Sequence, residues 1–202
     1  MKNVNYALLL LLMVMIQSCT GQTTQTTTKK QEIYNKDFNW KITIPENFES
    51  LNAEQWEKMQ NRGAEAIEKT YGEEIINQAK TIFVFKSDQM NYFESNYQPF
   101  DTETDGNFVE SIKNVGDILY QTFVAQMPNT KIDTTYTTEK IDNLVFQTYK
   151  IRLTYPNKMV LNVFMFSRLF DKKEFTVNIM YVDKLKGEKM LDCWRKSKFS
   201  KD

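Results

Sequence analysis

The sequence contains no histidine, and among its 202 residues are only two cysteines, six glycines and four prolines. The missing histidine excludes Ser-His and Cys-His catalytic dyads and removes the commonest zinc ligand. Two cysteines cannot build a disulfide scaffold or a four-cysteine zinc site. Hydrophobic residues nevertheless make up 41% of the chain, which is enough for a real core. Length and composition together indicate one globular domain.

Neither charge sign is in excess, since 26 basic residues balance 26 acidic ones. A protein that tracks nucleic-acid phosphates is normally basic, so nucleic acid is not among the predicted partners. The sequence also has no Gly-x-Ser-x-Gly, no Ser-x-x-Lys and no phosphate loop. We therefore predict no cofactor and no catalytic residues, and expect that the protein is not an enzyme.

The N-terminus has the pattern of an export signal. Lys2 supplies a positive charge, and an unbroken apolar run follows from Ala7 to Ile16. Ten helical residues span about 15 Å, half of a ~30 Å hydrocarbon core, so the run is too short for a permanent transmembrane helix. The pattern therefore predicts a signal peptide.

The apolar run ends in Ile16-Gln17-Ser18-Cys19. This resembles the lipobox of bacterial lipoproteins, of the Bacteroidetes type, although Gln17 replaces the commonest small residue. The resemblance implies that residues 1–18 are cleaved and that the Cys19 sulfur carries diacylglycerol. Thr20 in place of Asp then favours the outer membrane, with the protein facing the periplasm. An ordinary cleaved signal followed by a chance cysteine is the alternative.

A polar tether follows the proposed lipid anchor. Thr20 to Lys30 contains no apolar side chain, so residues 19–31 are predicted to form a lipidated cysteine and a flexible linker to a single domain over residues 32–202. The membrane is thus the first predicted partner, through acylated Cys19. If Cys19 is acylated, Cys193 has no disulfide partner, and we expect it to be buried and inert.

Periodicity predicts the elements of the domain. A strand is expected over 38–44, a helix from Asn52 to about Tyr71, and a second strand over 81–85. Residues 87–106 are interpreted as a long connection. A second helix is predicted over 108–127, where Asn107 and Glu110 form a capping box.

The second half of the chain changes to a period of two. Strands are predicted over 131–138, 145–155, 159–169 and 174–182, with short turns that make them an antiparallel meander. A last helix is expected over 186–198. Because strand 159–169 is apolar on both faces, helices should cover both sides of the sheet. The expected fold class is α+β, a three-layer α-β-α sandwich around an antiparallel sheet of about six strands.

This order of elements, together with the opening segment Trp40-Lys-Ile-Thr-Ile-Pro-Glu-Asn-Phe48, resembles the PsbP-like superfamily, which includes DcrB. The resemblance covers about residues 32–198. It implies a PsbP-like α-β-α fold whose members mostly bind other proteins and share no catalytic residues.

The predicted connection at 87–106 carries an aromatic cluster of Tyr92, Phe93, Tyr97 and Phe100. Aromatic side chains on a long loop either plug the sheet or form a recognition surface. Both interpretations stay open at this point, and these four residues are the candidate partner-binding site.

The same connection ends in an acidic stretch with Asp101, Glu103 and Asp105 before Gly106. Their spacing superficially matches a calcium loop, but position 12 of that loop is Ile112 in place of a bidentate glutamate. The alternative is a solvated acidic loop that leads into a helix N-terminus, where negative charge is favourable. No metal site is therefore predicted, with calcium as the weaker alternative.

Together these features predict a membrane-anchored lipoprotein of the cell envelope that binds or assembles with another envelope protein. The alternative is a carrier of a small ligand or lipid, with its pocket between the sheet and a helix.

Overall fold

A computed structural model describes residues 31–51, 56, 60–61, 65, 68–70, 72 and 78–199. The predicted signal peptide, Cys19 and the tether up to Lys30 lie outside the described residues. Strand β1 begins at Gln31, the last residue of the predicted tether. Among the described residues, no helix has the length and apolar character needed to cross a bilayer.

Nine strands and two continuous helices make up the described fold. The helices are α1 (Phe108–Gln126) and α2 (Lys184–Arg195), and the described residues at 56, 60–61, 65 and 68–70 are also helical. The strands are β1 (Gln31–Asn35), β2 (Trp40–Ile44), β3 (Glu49–Ser50), β4 (Lys80–Asp88), β5 (Asn91–Pro99), β6 (Lys131–Ile141), β7 (Leu144–Thr154), β8 (Val160–Phe170) and β9 (Lys173–Tyr181).

Seven of the strands form one antiparallel sheet, in the order β3-β4-β5-β9-β8-β7-β6. The predicted meander of β6 to β9 is present with its strands in the expected positions. The sheet has seven strands where about six were predicted. The predicted strand over 38–44 is β2, which lies outside this sheet, while the two-residue β3 and the strand β5, over residues 91–99 that were interpreted as part of a loop, belong to it. Strand β5 lies between β4 and β9 and is therefore internal to the sheet.

Strands β1 and β2 form a separate antiparallel hairpin. Its second strand is tied to the end of the chain, where Lys41 and Lys198 exchange both backbone hydrogen bonds, at 2.8 and 2.9 Å. The start and the end of the described domain are thus joined edge to edge.

Two hydrophobic clusters fill the domain. One contains Ile112, Val115, Leu119 and Phe123 of α1, together with side chains such as Val163 of β8. The other contains Trp194 of α2 and Trp40 of β2, with Phe166 of β8 and Phe175 of β9. Residues from β8 enter both clusters, so this strand is covered on both faces, as its sequence predicted. The described fold is therefore α+β and rich in sheet.

The helix N-termini follow from local capping. Asn107 is the N-cap of α1, and its side-chain oxygen accepts a hydrogen bond from the Glu110 N–H at 3.1 Å. This confirms the predicted start of the helix. Helix α2 begins at Lys184, two residues before the predicted start, because Asp183 accepts hydrogen bonds from the N–H groups of Leu185 and Lys186.

Trp40 connects the small hairpin to the large sheet. Its side chain is fully buried and stacks on Phe83 of β4 with ring centroids 4.9 Å apart. It also meets the ring of Trp194 edge-on at 6.0 Å. A single side chain of β2 therefore contacts both the sheet and α2, which fixes the helix relative to the hairpin.

The close approach of α2 to β9 yields a test of this packing. A Cβ atom added at Gly187 would lie 2.4 Å from the ring of Tyr181, including its Cγ, which cannot swing away. We expect Gly187→Ala to lower the free energy of unfolding by about 1–3 kcal/mol in urea denaturation, despite the better helix propensity of alanine. The control is Leu185→Ala, since Leu185 is 71% exposed on the same helix; its effect should stay within about 0.5 kcal/mol. A Gly187→Ala variant as stable as the wild type would contradict this packing.

Candidate functional site

The aromatic residues proposed as a partner surface lie in the core. Tyr92 and Phe93 are fully buried on β5, and Phe100 just after the strand is 1% exposed. Of the four, only Tyr97 is partly accessible, and its ring packs against Phe38. The interpretation as a recognition surface was therefore wrong for Tyr92, Phe93 and Phe100, because side chains buried in the core cannot meet a partner.

The misleading signal was polarity. Along β5, Glu94, Asn96 and Gln98 alternate with Phe93, Ser95 and Tyr97, which is the period of a strand. Polar residues at three interior positions made the segment resemble a loop. The alternation itself was the available sign that it is a strand.

The acidic stretch forms a compact turn that leads into α1. Asp101 accepts a hydrogen bond from the Glu103 N–H at 3.1 Å and from Lys172 Nζ at 2.6 Å, while Asp105 accepts from the Asp101 N–H at 2.7 Å. The Lys172 hydrogen bond, helped by that of Glu103, lowers the pKa of Asp101 below its ordinary value. Within the described part of the chain, no three His, Cys, Asp or Glu side chains are placed to hold a metal ion.

Cys19 falls outside the described residues, and Cys193 is a free cysteine in the second hydrophobic cluster. Its Sγ donates a hydrogen bond to the Met190 carbonyl at 3.1 Å. Burial raises the pKa of the thiol far above its ordinary value, with a further contribution from the charge of Asp192. The thiol is therefore held protonated, which disfavours nucleophilic chemistry.

A buried polar cluster lies where β5 meets β9. Its first centre is Glu94, which is fully buried and accepts hydrogen bonds from Asn96 Nδ2 at 2.7 Å and Asn178 Nδ2 at 2.8 Å. Loss of hydration raises the pKa of Glu94 to about 7, although both hydrogen bonds act in the opposite direction.

The second centre of this cluster is Glu174, which accepts a hydrogen bond from Gln98 Nε2 at 2.6 Å. Burial raises the pKa of Glu174 to about 7 as well, and the negative charge of Asp105 adds to the effect. Three oxygens of the cluster accept no hydrogen bond from the described residues: Gln98 Oε1, Glu174 Oε1 and Asn178 Oδ1. Unpaired oxygen lone pairs beside a carboxyl group favour its neutral form.

The accessible candidate site is a groove between β2 and α2, called here the β2–α2 groove. Its volume is about 560 Å³, within the range of ligand pockets. One wall is the strand with the residues that follow it, and the other is the last two turns of the helix. The lining residues are Glu32, Lys41, Ile42, Thr43, Ile44, Pro45, Glu46, Lys189, Asp192, Cys193, Lys196 and Lys198.

Backbone geometry gives this groove its chemistry. In an antiparallel pair, residues that exchange both hydrogen bonds alternate with residues that exchange none. Lys41 exchanges both with Lys198, on the side of β2 away from β1. Two residues further on, Thr43 must direct its N–H and C=O to the same side. Among the described residues no strand pairs with Thr43 there, so one donor and one acceptor open into the groove.

The rim of the groove carries four lysines and three carboxylates. Two of the lysines are paired within the rim: Lys41 with Glu32 at 3.6 Å and Lys196 with Asp192 at 2.7 Å. Lys198 is held from outside it by Asp142 at 3.0 Å. Within the described part of the chain, the exposed Lys189 makes no ion pair. The groove therefore offers a modest positive charge beside a free strand edge.

Comparison with known proteins identifies the fold. No protein-family model matches the chain, and no curated protein matches it. The solution structure of the cyanobacterial PsbP protein CyanoP from Synechocystis sp. PCC 6803 is similar over 92% of this chain and 99% of CyanoP, with a TM-score of 0.50 and 11% identity. The fold is PsbP-like. The Ran-binding protein Mog1p of Saccharomyces cerevisiae matches over 86% of this chain and 96% of its own, at a TM-score of 0.41 and 8% identity.

The buried carboxyl groups predict a specific dependence of stability on pH. In the unfolded chain Glu94 returns to an ordinary pKa of 4.5, while in the folded protein its pKa is about 7. Between these values the folded state binds the extra proton, so this group's stabilisation is complete below about pH 4.5 and is lost as pH rises to about 7. Replacement by glutamine removes the titration. We expect the stability of Glu94→Gln relative to wild type to increase by about 3 kcal/mol between pH 4.5 and 8.

The measurement is urea denaturation of both proteins at several pH values. An effect of the amide on stability that does not depend on pH cancels when the stability differences at two pH values are compared. Glu188→Gln on the exposed face of α2 is the matched control for replacing a carboxyl group with an amide, and the pH-dependent gain of Glu94→Gln is compared with it. A stability difference between Glu94→Gln and wild type that stays constant with pH would show that Glu94 is ionised in the fold.

Proposed function

We propose that this protein is a lipoprotein of the bacterial cell envelope, anchored through acylated Cys19 in the outer membrane and facing the periplasm, that binds a segment of another envelope protein and performs no catalysis. The anchor rests on the N-terminal apolar run and the lipobox-like segment that ends at Cys19. We extend the proposal to a three-layer α-β-α arrangement, with α1 and α2 on opposite faces of the sheet.

The observation that carries the binding function is the open edge of β2 in the β2–α2 groove. An extended peptide that joins a free strand edge gains main-chain hydrogen bonds, while neighbouring side chains select its sequence. Thr43 offers the donor and the acceptor, and α2 forms a wall opposite the strand. A strand edge facing a helix across a groove is thus suited to an extended polypeptide segment.

The charges at the rim of the β2–α2 groove also favour an extended polypeptide segment as its ligand. Lys189 borders the groove and makes no ion pair with the described residues, so an acidic group on a peptide would find a partner there. The groove is nevertheless nearly balanced, so hydrogen bonding along β2 is the dominant attraction. We propose a neutral or weakly acidic extended segment as the ligand.

The binding test uses substitutions at Thr43. Thr43→Pro removes the N–H that faces the groove without removing a hydrogen bond to β1, whereas Thr43→Val keeps the N–H and a β-branched side chain. A photo-crosslinking amino acid at Lys189 should capture a defined envelope protein, and Thr43→Pro should abolish this product while Thr43→Val retains it. The same crosslinker at Tyr120, which is 36% exposed on α1, is the positional control. Equal yields from both positions, or no effect of Thr43→Pro, would refute the groove as the docking site.

The volume of the groove favours one second candidate, a carrier of a small ligand or lipid. Ile42, Ile44, Pro45 and Cys193 give it an apolar part, and about 560 Å³ accommodates a small molecule. Native mass spectrometry of protein released from membranes distinguishes the two candidates. A bound small molecule that is lost in a Glu46→Ala variant, in which the rim is altered, would favour the carrier. Unliganded protein together with the crosslinked partner favours peptide docking.

The anchor has its own test. Labelled palmitate should be incorporated into the wild-type protein in a bacterial host that processes lipoproteins, because the diacylglycerol on Cys19 would carry the acyl chains. Cys19→Ser should abolish labelling and release the domain from the membrane, while Cys193→Ser leaves both unchanged. Labelling that persists in Cys19→Ser would overturn the lipobox interpretation without bearing on the groove.

A further inference from the structure

The two edges of the large sheet differ in length and regularity. At one edge β3 has only two residues, and β4 beside it pairs with β5 through register shifts. At the other edge β6 has eleven residues that pair with β7 without a shift. Very short or bulged strands are common ways to protect a sheet edge from pairing with another chain. The β6 edge has neither feature.

The hairpin that joins β6 to β7 shows which backbone groups of β6 face outward. Asp142 and Asn143 form a two-residue turn with positive φ values of 45° and 67°. In such a hairpin the closing pair, Ile141 and Leu144, exchanges both hydrogen bonds. The odd-numbered residues of β6 therefore bond to β7. The even-numbered residues, from Ile132 to Lys140, direct their N–H and C=O groups away from the sheet.

No strand occupies this edge in the described part of the chain, since β6 ends the strand order. Most residues of β6 are exposed. The strand contains no proline, and its sequence favours β structure because it includes four β-branched threonines: Thr134, Thr135, Thr137 and Thr138. A regular strand that offers five outward-facing residues is able to pair with another strand.

We propose that two copies of this chain associate by antiparallel pairing of their β6 strands, in a register centred on Thr135. The partner is inferred from charge complementarity in that register. Lys131 lies opposite the partner subunit's Glu139, and by symmetry Glu139 lies opposite the partner subunit's Lys131. The even-numbered residues pair with one another and supply about eight backbone hydrogen bonds.

Neighbouring registers are less favourable. A pairing centred on Tyr136 places Asp133 opposite the partner subunit's Glu139, and like charges directly opposite are destabilising. A pairing centred on Thr137 leaves Lys131 without an opposite charge. The register centred on Thr135 therefore has the best match of charges.

Lys131 and Glu139, the two charged residues that face each other in this register, both lie on the edge strand β6. Glu139 is oriented by Arg195, whose Nε lies 2.6 Å from its Oε1, so the carboxylate is held in place at the end of the strand. Lys131 Nζ lies 3.0 Å from Asp133 of its own strand. That pair is largely exposed, and exposed pairs contribute little, so Lys131 can turn towards a carboxylate of a second copy.

Cysteine crosslinking of the full chain in detergent tests both the contact and the register. Residues that are opposite each other without hydrogen bonds have Cα atoms about 4.5 Å apart, within the range that a disulfide spans. Thr135→Cys should therefore form a disulfide-linked homodimer on mild oxidation. Thr137→Cys, which faces the same side of the sheet two residues away, should form much less, because it lies opposite the partner subunit's Asp133.

Two further variants distinguish pairing from random collision. Thr138→Pro removes an outward N–H while leaving the ladder to β7 intact, and should abolish the Thr135→Cys dimer. Lys131→Glu should weaken association about tenfold, and Lys131→Glu combined with Glu139→Lys should restore it. The circular dichroism spectrum shows whether each variant is folded.

Equal crosslinking of Thr135→Cys and Thr137→Cys would overturn the register. A wild-type protein that sediments as a monomer at high concentration, or a Thr135→Cys protein that links only to a different protein, would overturn self-association. Neither result affects the β2–α2 groove, which is built from other elements.

Discussion

The pairing of β5 with β9 joins the two halves of the sheet. Eight residue pairs, from Tyr92–Met180 to Pro99–Lys173, connect the strands β3 to β5 with the meander of β6 to β9. The ends of this contact are more than seventy residues apart in sequence, so its formation carries a large loop-closure cost. The cost is offset because both strands are buried on both faces. Without this pairing, the hydrophobic cluster shared by α2, β2 and β9 could not form.

The buried polar cluster lies across the same pairing and restricts its register. Glu94 is directly opposite Asn178, and Gln98 is directly opposite Glu174. A slip of one residue would turn every side chain to the other face, which would place Glu94 among the aromatic rings around Phe93. Hydrophobic burial stabilises the centre of the sheet, while hydrogen-bonded polar pairs exclude the alternative register. A fully apolar strand would provide less discrimination.

Much of this fold could be predicted from the sequence where local patterns agree with burial. The helix that starts after Asn107 and the meander of four strands are examples, since capping and strand alternation act within short segments. Strand β5 was missed because its interior positions are polar, and only the tertiary contacts of Glu94 and Gln98 make them acceptable in a core. Because β5 was missed, the order of the strands in the sheet could not be inferred from the sequence. The position of β6 at an edge of the sheet could therefore not be inferred either.

The β2–α2 groove also required the tertiary structure. Its open backbone groups are defined by the Lys41–Lys198 bridge, which joins residues 198 − 41 = 157 positions apart. Periodicity assigns Lys41 to a strand and Lys198 to the end of the predicted last helix. That helix ends at Arg195 in the structure, which leaves Lys198 extended and able to pair with Lys41. The strand β2 and the helix α2, which form the two walls of the groove, could each be predicted from the sequence. Their relative position depends on the packing of Trp40 against Trp194.

The balanced charge of the chain bears on how such surfaces select partners. With 26 basic and 26 acidic residues, long-range attraction contributes little to encounter, so association is governed by short-range fit. At both the β2–α2 groove and the β6 edge, the groups that face outward are backbone N–H and C=O, which every polypeptide can match. Selectivity must then come from the side chains beside them. Lysines border the groove, whereas Lys131 and Glu139 flank the threonines of β6. Because Lys131 is exposed and Glu139 is partly exposed, salt screens their attraction, and these charges can set the register of a pairing more effectively than its strength.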